Sequence, residues 1–124
     1  MTPPEALRLL RVAKRDLAMA RRLLDPDVEE ASWGWALQQC IEKLLKSWLI
    51  TLGLQAPRTH DIARLLLQLE SAGVDVRELL AWRAFTAYAV QFRYDDEPDV
   101  LGIDRDLWCE QAQTLINRIE QLSR

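Results

Sequence analysis

The chain has 124 residues, of which 49% are apolar and 28% are charged. This length and balance are typical of one soluble globular domain with a single core, and they exclude a disordered or low-complexity chain. The net charge of −3 predicts no general attraction to nucleic acid. No segment approaches the roughly 18 consecutive apolar residues of a membrane span. The first residues have no signal-peptide pattern, so we expect a cytoplasmic protein without a membrane partner.

The charges are unevenly distributed along the chain. Residues 8–22 carry six basic side chains against the single acid Asp16. Residues 95–106 carry six acidic side chains against the single base Arg105. We interpret these segments as two solvated surfaces that attract each other, either within one chain or between chains.

The first helical pattern opens with a capping sequence. Thr2, followed by two prolines and then Glu5, predicts an N-cap and a helix start. Apolar residues then recur at steps of three and four from Leu7 to Leu24, which is the period of one buried helix face. The Asp-Pro-Asp sequence at residues 25–27 predicts the end of this helix.

The second helical pattern is predicted over residues 28–52 and ends at Gly53. It is apolar on two sides, so we expect it to be the central helix of the fold or to contribute to a subunit interface as well. Trp35 lies out of phase with the core position Trp33, which makes Trp35 a candidate for contact with a second subunit.

Three further helices are predicted in the second half of the chain. The third begins with Thr59 as N-cap and Asp61 in its first turn, and it ends near Gly73. The fourth covers residues 76–93 and the fifth covers residues 104–122, with the acidic loop between them. No segment alternates with a period of two for long enough to form a strand. The sequence therefore predicts an all-α fold, an antiparallel up-and-down bundle of four or five helices in one domain over residues 1–124.

Most kinds of catalytic and metal site are disfavoured by the residues present. The chain has one histidine, His60, and two cysteines, Cys40 and Cys109. Cys40 lies within an apolar stripe, so we do not expect a Cys–His nucleophile, and we expect both thiols to be reduced core residues. The spacing of the cysteines, His60 and the acids fits no metal site, and no glycine-rich phosphate loop is present.

Polar residues near predicted helix ends are the remaining candidates for a site. In an antiparallel bundle the end of the second helix, the start of the third and the end of the fourth meet at one end of the molecule. Such a cluster beside a helix N-terminus suits an anion, for example the phosphate of a nucleotide such as ATP. The alternative is that these groups cap helices and pair with Glu42 and Asp61. The candidate ligand-binding residues are Lys43, Lys46, Thr59, His60, Arg93 and Tyr94.

Four segments resemble the HEPN domain, named for higher eukaryotes and prokaryotes nucleotide-binding proteins. They are KRDLAMARRLL (14–24), ALQQCIEKLLKSWLITLG (36–53), THDIARLLLQL (59–69) and AVQFRY (89–94). The resemblance covers nearly the whole chain, and it implies a helical bundle that is usually a homodimer. It also implies a minimal nucleotidyltransferase as partner, in a pair of the toxin–antitoxin kind.

Many members of the family are metal-independent endoribonucleases, and their signature is an arginine followed by four to six residues and then histidine. This sequence departs from that signature. Arg83 is followed at the required distance by Tyr88, and no histidine follows Arg93. Tyrosine, with an ordinary pKa of about 10, is a poor base at neutral pH compared with histidine at about 6.5.

Three hypotheses follow for the function. The first is a non-catalytic HEPN protein that binds a nucleotide, a nucleotidyltransferase or both. The second is an endoribonuclease toxin with a displaced site, for which the candidate catalytic residues are His60, Arg93 and Arg83. The third is a dimeric interaction module without a small ligand.

Overall fold

The computed structural model describes residues 2–97 and 100–122, except for the side chain of Arg93. The described part is all-helical and contains no strand, which confirms the predicted fold class. The helices are α1 (Pro4–Arg22), α2 (Glu30–Thr51), α3 (Ile62–Ser71), α4 (Thr86–Val90) and α5 (Arg105–Leu122). A 3₁₀ helix (Arg77–Phe85) leads directly into α4, and a short 3₁₀ turn (Phe92–Tyr94) follows it. None of these helices is long and apolar enough to cross a membrane.

Helix α2 lies at the centre of the bundle, as its sequence predicts. It packs against α1, α3, α4 and α5, and both of its apolar stripes are buried. The fully buried residues Trp33, Leu37 and Leu44 lie on one stripe, and Ile41 and Leu45 lie on the other. A helix surrounded in this way fixes the position of every other element, so polar side chains on α2 are the natural place to look for a site.

The fourth predicted helix is not one continuous α-helix. Its first nine residues, Arg77–Phe85, form a 3₁₀ helix. A 3₁₀ helix has three residues per turn, so Leu79, Trp82 and Phe85, at intervals of three, all face the core and are buried. Trp82 and Phe85 also pack against Trp108 of α5, with ring centroids 4.8 and 5.2 Å from it. The interval of three between apolar residues favours the tighter helix here.

The starts of two helices differ from the sequence predictions. Helix α1 begins at Pro4, with Pro3 in the cap position and no side-chain cap, so the prediction of Thr2 as N-cap is wrong. Helix α3 is capped by Asp61, whose Oδ1 accepts the backbone N–H of Ala63 at 3.0 Å. Thr59 lies two residues earlier, where its hydroxyl oxygen accepts the backbone N–H of Asp61 at 3.0 Å. Both residues therefore build the turn into α3, but the cap itself is the aspartate.

The predicted end of α3 is confirmed, whereas α1 ends earlier than predicted. Helix α1 ends at Arg22, three residues before the predicted Asp-Pro-Asp stop, and Asp25 accepts the backbone N–H of Asp27 in the turn that follows. Gly73 terminates α3 as predicted, because its φ of 93° suits glycine and its N–H donates to the carbonyl of Glu70.

Candidate functional site

A buried carboxylate on α2 is the foundation of the site. Gln38, Glu42 and Lys46 are four residues apart, so they lie on one line along the helix. The Glu42 side chain is only 6% exposed, and its Oε2 accepts from Lys46 Nζ at 3.1 Å. A buried carboxylate is costly unless charged or polar groups surround it, so Glu42 requires these partners.

His60 provides the second partner of Glu42. Its ring Nδ1 lies 2.7 Å from Glu42 Oε1, and because a carboxylate only accepts, Nδ1 carries the proton and donates. The ring is held by one edge, while 58% of the side chain is exposed. No other partner of the ring is found among the described residues, so Nε2 is open to solvent. In the neutral ring this places the lone pair on the accessible nitrogen.

Gln38 fixes both the carboxylate and the backbone that carries the histidine. Its Nε2 donates to Glu42 Oε1 at 3.2 Å and to the backbone carbonyl of His60 at 3.1 Å. Gln39 donates to Gln38 Oε1 at 2.8 Å and so orients the Gln38 amide. The segment before α3 is thereby anchored to the middle of α2.

The start of α3 is also tied to α4. The backbone N–H of Ile62 donates to Thr86 Oγ1 at 3.1 Å. This N–H belongs to the first turn of α3, where helix donors lack partners within the helix. Three elements therefore meet at His60, and the histidine lies on a well-supported turn.

The site lies beside the middle of α2 and not at the end of the bundle. The sequence predicts that His60 lies beside the C-terminal end of α2. In the structure His60 contacts Gln38 and Glu42 instead, and α2 continues beyond these residues to Thr51. The connection after α2 runs back along the helix before α3 begins. This return path could not be predicted from helix lengths alone.

The structure brings together only some of the predicted site residues. Lys46 and His60 share Glu42, whereas Lys43 points towards α1 and pairs with Asp16 at 2.7 Å. Tyr94 lies in the 3₁₀ turn after α4 with 78% of its side chain exposed. The side chain of Arg93 lies outside the described part of the chain.

Gln38 is not among the site residues that the sequence predicts, and Glu42 is predicted only as a pairing partner of those residues. The signal was present in the sequence. Helix α2 is largely apolar, and it carries Gln38, Glu42 and Lys46 at intervals of four. These three polar groups therefore share one line between buried stripes.

The Arg83–Tyr88 pair does not reproduce an acid–base site. Tyr88 is fully buried, and its hydroxyl donates to Glu30 Oε1 at 2.9 Å. The pKa of the Tyr88 phenol is raised well above its usual value. Burial is the largest cause, and the hydrogen bond to Glu30 is the next. Arg83 is exposed on the preceding 3₁₀ helix, where its Nε donates to the carbonyl of Leu80. The two side chains therefore have separate structural surroundings.

The cysteines have the environment of core residues, as predicted. Both are buried and neither forms a disulfide. Burial is the largest cause that raises the pKa of the Cys40 thiol and of the Cys109 thiol, so neither is poised as a thiolate. Within residues 2–97 and 100–122 no group of His, Cys, Asp and Glu side chains is arranged to hold a metal ion.

The fold and the site define a small helical-bundle domain with a carboxylate–histidine–lysine cluster beside its central helix. Comparison with known protein families matches residues 6–124 to the HEPN domain. Because this match spans nearly the whole chain, the protein belongs to the HEPN family. No curated protein and no solved structure matches the chain.

Proposed function

We propose that this HEPN protein binds the phosphate of a nucleotide through His60 and Lys46 and does not cleave RNA. The observation that carries the proposal is the 2.7 Å hydrogen bond between the exposed His60 ring and the buried Glu42 carboxylate. An imidazolium ring donates from both nitrogens, so His60 can bridge Glu42 on one side and a phosphate oxygen on the other.

Lys46 adds a second cationic group to this site. An ammonium group has three donors, and Glu42 accepts one of them at 3.1 Å. The side chain is 17% exposed, so part of it reaches the surface beside the cluster. Lys43 and Thr59 have other roles, because Lys43 joins α2 to α1 and Thr59 supports the turn into α3. Arg93 and Tyr94 remain proposed contacts for the rest of the nucleotide.

A second candidate function uses the same residues. A carboxylate that holds Nδ1–H of a histidine leaves Nε2 available as a general base, which is the chemistry of a metal-independent endoribonuclease. This alternative would make the protein a toxin with a displaced site. It is disfavoured because Tyr88, at the position where the family signature requires histidine, is buried and bonded to Glu30.

We further propose that the protein acts as a homodimer beside a minimal nucleotidyltransferase, in a pair of the toxin–antitoxin kind. Membership of the HEPN family supports this proposal. Several large apolar side chains also remain exposed; they include Leu67, Val90, Val100 and Leu107. If no nucleotide binds, a dimeric interaction module is the function that remains.

Isothermal titration calorimetry with ATP and GTP tests the nucleotide site. We expect the wild type to give a heat of binding with a micromolar dissociation constant. His60→Ala should give no heat of binding, and its fold should be intact because the side chain is largely exposed. Asn117→Ala, an exposed change on α5, is the matched control and should bind as the wild type does. Absence of heat with the wild type, or equal heat with His60→Ala, would contradict the proposal.

Incubation of the same proteins with total RNA separates the two candidate functions. The nucleotide-binding proposal predicts intact RNA with every variant. Cleavage by the wild type but not by folded His60→Ala would establish the nuclease instead.

A further inference from the structure

The outer side of α1 carries a line of four arginines. Arg8, Arg11, Arg15 and Arg22 are all exposed. At about 100° per residue they fall within an arc of about 60°, and they extend over about 21 Å of the helix. We call these four residues the arginine stripe.

The contacts of α1 show that the arginine stripe faces away from the protein. Its buried face is formed by Ala6, Leu10, Ala13, Leu17 and Ala20, on the opposite side of the helix. One flank faces α2, where Asp16 pairs with Lys43, and the other faces α5, where Lys14 pairs with Glu120 at 2.9 Å. The stripe therefore lies between these flanks on a convex, solvent-facing ridge.

The charges of the arginine stripe are almost uncompensated. In the described part of the chain, Arg11, Arg15 and Arg22 form no ion pair or hydrogen bond. Arg8 has only a 3.9 Å contact with Glu5, and both side chains are more than 60% exposed. By contrast, Arg21 on the α5 flank pairs with Glu110 at 3.1 Å. The concentration of free guanidinium groups on one line is unusual in a chain with a net charge of −3.

We propose that the arginine stripe binds the phosphodiester backbone of a single-stranded nucleic acid without reading its sequence. Guanidinium groups bind phosphate oxygens through paired hydrogen bonds, and a linear array can follow one flexible strand. The stripe contains no amide or aromatic side chain that could read or stack a base. It does not resemble a membrane-binding helix, because the apolar face of α1 is buried in the core.

The arginine stripe is separate from the proposed nucleotide site. It lies on α1, whereas His60 and Lys46 meet at Glu42 on α2. Its function does not depend on nucleotide binding, and each proposal can fail without the other.

Fluorescence polarisation with a labelled 20-nucleotide uridine RNA and the matching thymidine DNA tests the proposal. Each phosphate neutralised on a single strand contributes about −0.7 to the slope of log K against log salt, so four arginines predict a slope of about −2.8. Between 50 and 200 mM salt the affinity should fall about 50-fold. RNA and DNA binding with equal slopes supports recognition of the shared backbone.

The double variant Arg11→Gln/Arg15→Gln should halve the slope to about −1.4 and weaken binding at 50 mM salt at least tenfold. The matched control is Arg58→Gln/Arg64→Gln, which removes the same charge from exposed positions outside the stripe and should bind as the wild type does. Circular dichroism verifies folding, which substitutions at exposed positions should not disturb.

Three results would overturn the proposal. The first is equal binding by the wild type and Arg11→Gln/Arg15→Gln. The second is an absence of binding to both strands at 50 mM salt together with binding to phosphatidylserine vesicles, which would assign the stripe to a membrane surface. The third is an absence of strand binding together with salt-sensitive self-association that the double variant loses, which would assign it to the acidic surface of a second copy.

Discussion

Tyr88 donates its hydroxyl hydrogen bond to a glutamate that also holds the acidic loop in place. Glu30 Oε1 accepts from Tyr88 at 2.9 Å and from the backbone N–H of Leu101 at 2.7 Å, and Oε2 accepts from the N–H of Gly102 at 3.0 Å. The hydrogen bonds of Glu30 therefore join Tyr88 of α4 to α2 and to the segment before α5.

Replacing Tyr88 with phenylalanine should destabilise the fold without affecting nucleotide binding. The change removes one donor from a buried carboxylate and keeps the ring, so we expect a loss of about 1–3 kcal/mol in the free energy of unfolding. Urea denaturation measures it. Gln121→Ala, at an exposed position on α5, is the control and should change stability by less than about 0.5 kcal/mol. Equal stability of the two variants would show that the Glu30 bond is not important.

Gly34 is required because α2 approaches the ring of Tyr88 closely. A Cβ atom at residue 34 would lie well inside contact distance of Tyr88 Cδ1. Gly34→Ala should therefore destabilise the protein by about 1–3 kcal/mol, although alanine is the better helix former by about 1 kcal/mol. Thermal unfolding compared with Ser32→Ala, an exposed change in the same helix, measures the effect. A stabilised Gly34→Ala variant would mean that the ring moves aside freely.

Removing the Glu42 carboxylate should weaken both stability and the site. Glu42→Ala leaves Lys46 and His60 without their shared acceptor, and breaking a buried ion pair in this way costs up to 3–5 kcal/mol. Because the His60 side chain is 58% exposed and can turn to water, we expect a smaller loss of about 2 kcal/mol. Denaturant titration measures the loss of stability. Glu42→Gln should lose less stability than Glu42→Ala, because the amide keeps one acceptor oxygen. An Ala variant as stable as the wild type would contradict the role given to Glu42.

The stability that Asp75 contributes should be lost at acidic pH. The side-chain hydrogen bond from Arg77, with its backbone N–H next in importance, lowers the pKa of Asp75 from 3.8 to about 2. A carboxyl with a lowered folded-state pKa stabilises the protein above about pH 4, and this stabilisation disappears as the pH falls towards 2. NMR titration of the Asp75 carboxyl should give the low pKa, and Arg77→Gln should raise this pKa towards 3.8, although the backbone N–H of residue 77 still lowers it in part. A normal pKa in the wild type would contradict the observed pairing.

The sequence predicts the helices of this protein better than it predicts the path between them. The intervals of three and four in α1, α2 and α5 fix which faces are buried, because burial of an apolar face requires a particular helical period. The sequence does not distinguish a 3₁₀ helix from an α-helix over Arg77–Phe85, because intervals of three between apolar residues occur in both. The N-cap of α3 was misplaced by two residues because Thr59 and Asp61 are both good caps.

The sequence offers Glu42 as a pairing partner of the candidate site residues, but it does not show that Lys46 and His60 share this carboxylate. Their meeting at Glu42 depends on the return of residues 52–61 along α2, which is a tertiary feature that no local pattern encodes. Lys43, one residue from Glu42, faces α1 because successive helix positions are about 100° apart. Proximity in sequence therefore suggested a larger cluster than the structure contains.

The most direct measurement follows the ring nitrogens of His60 by long-range ¹H–¹⁵N NMR while ATP is added. His60 is the only histidine in the chain, so its signals need no assignment by mutation. We predict that Nδ1 keeps its proton and its bond to Glu42, while the Nε2 resonance moves in a saturable way towards the protonated form. Nucleotide titration that leaves Nε2 unchanged up to millimolar ATP would contradict the proposed phosphate site.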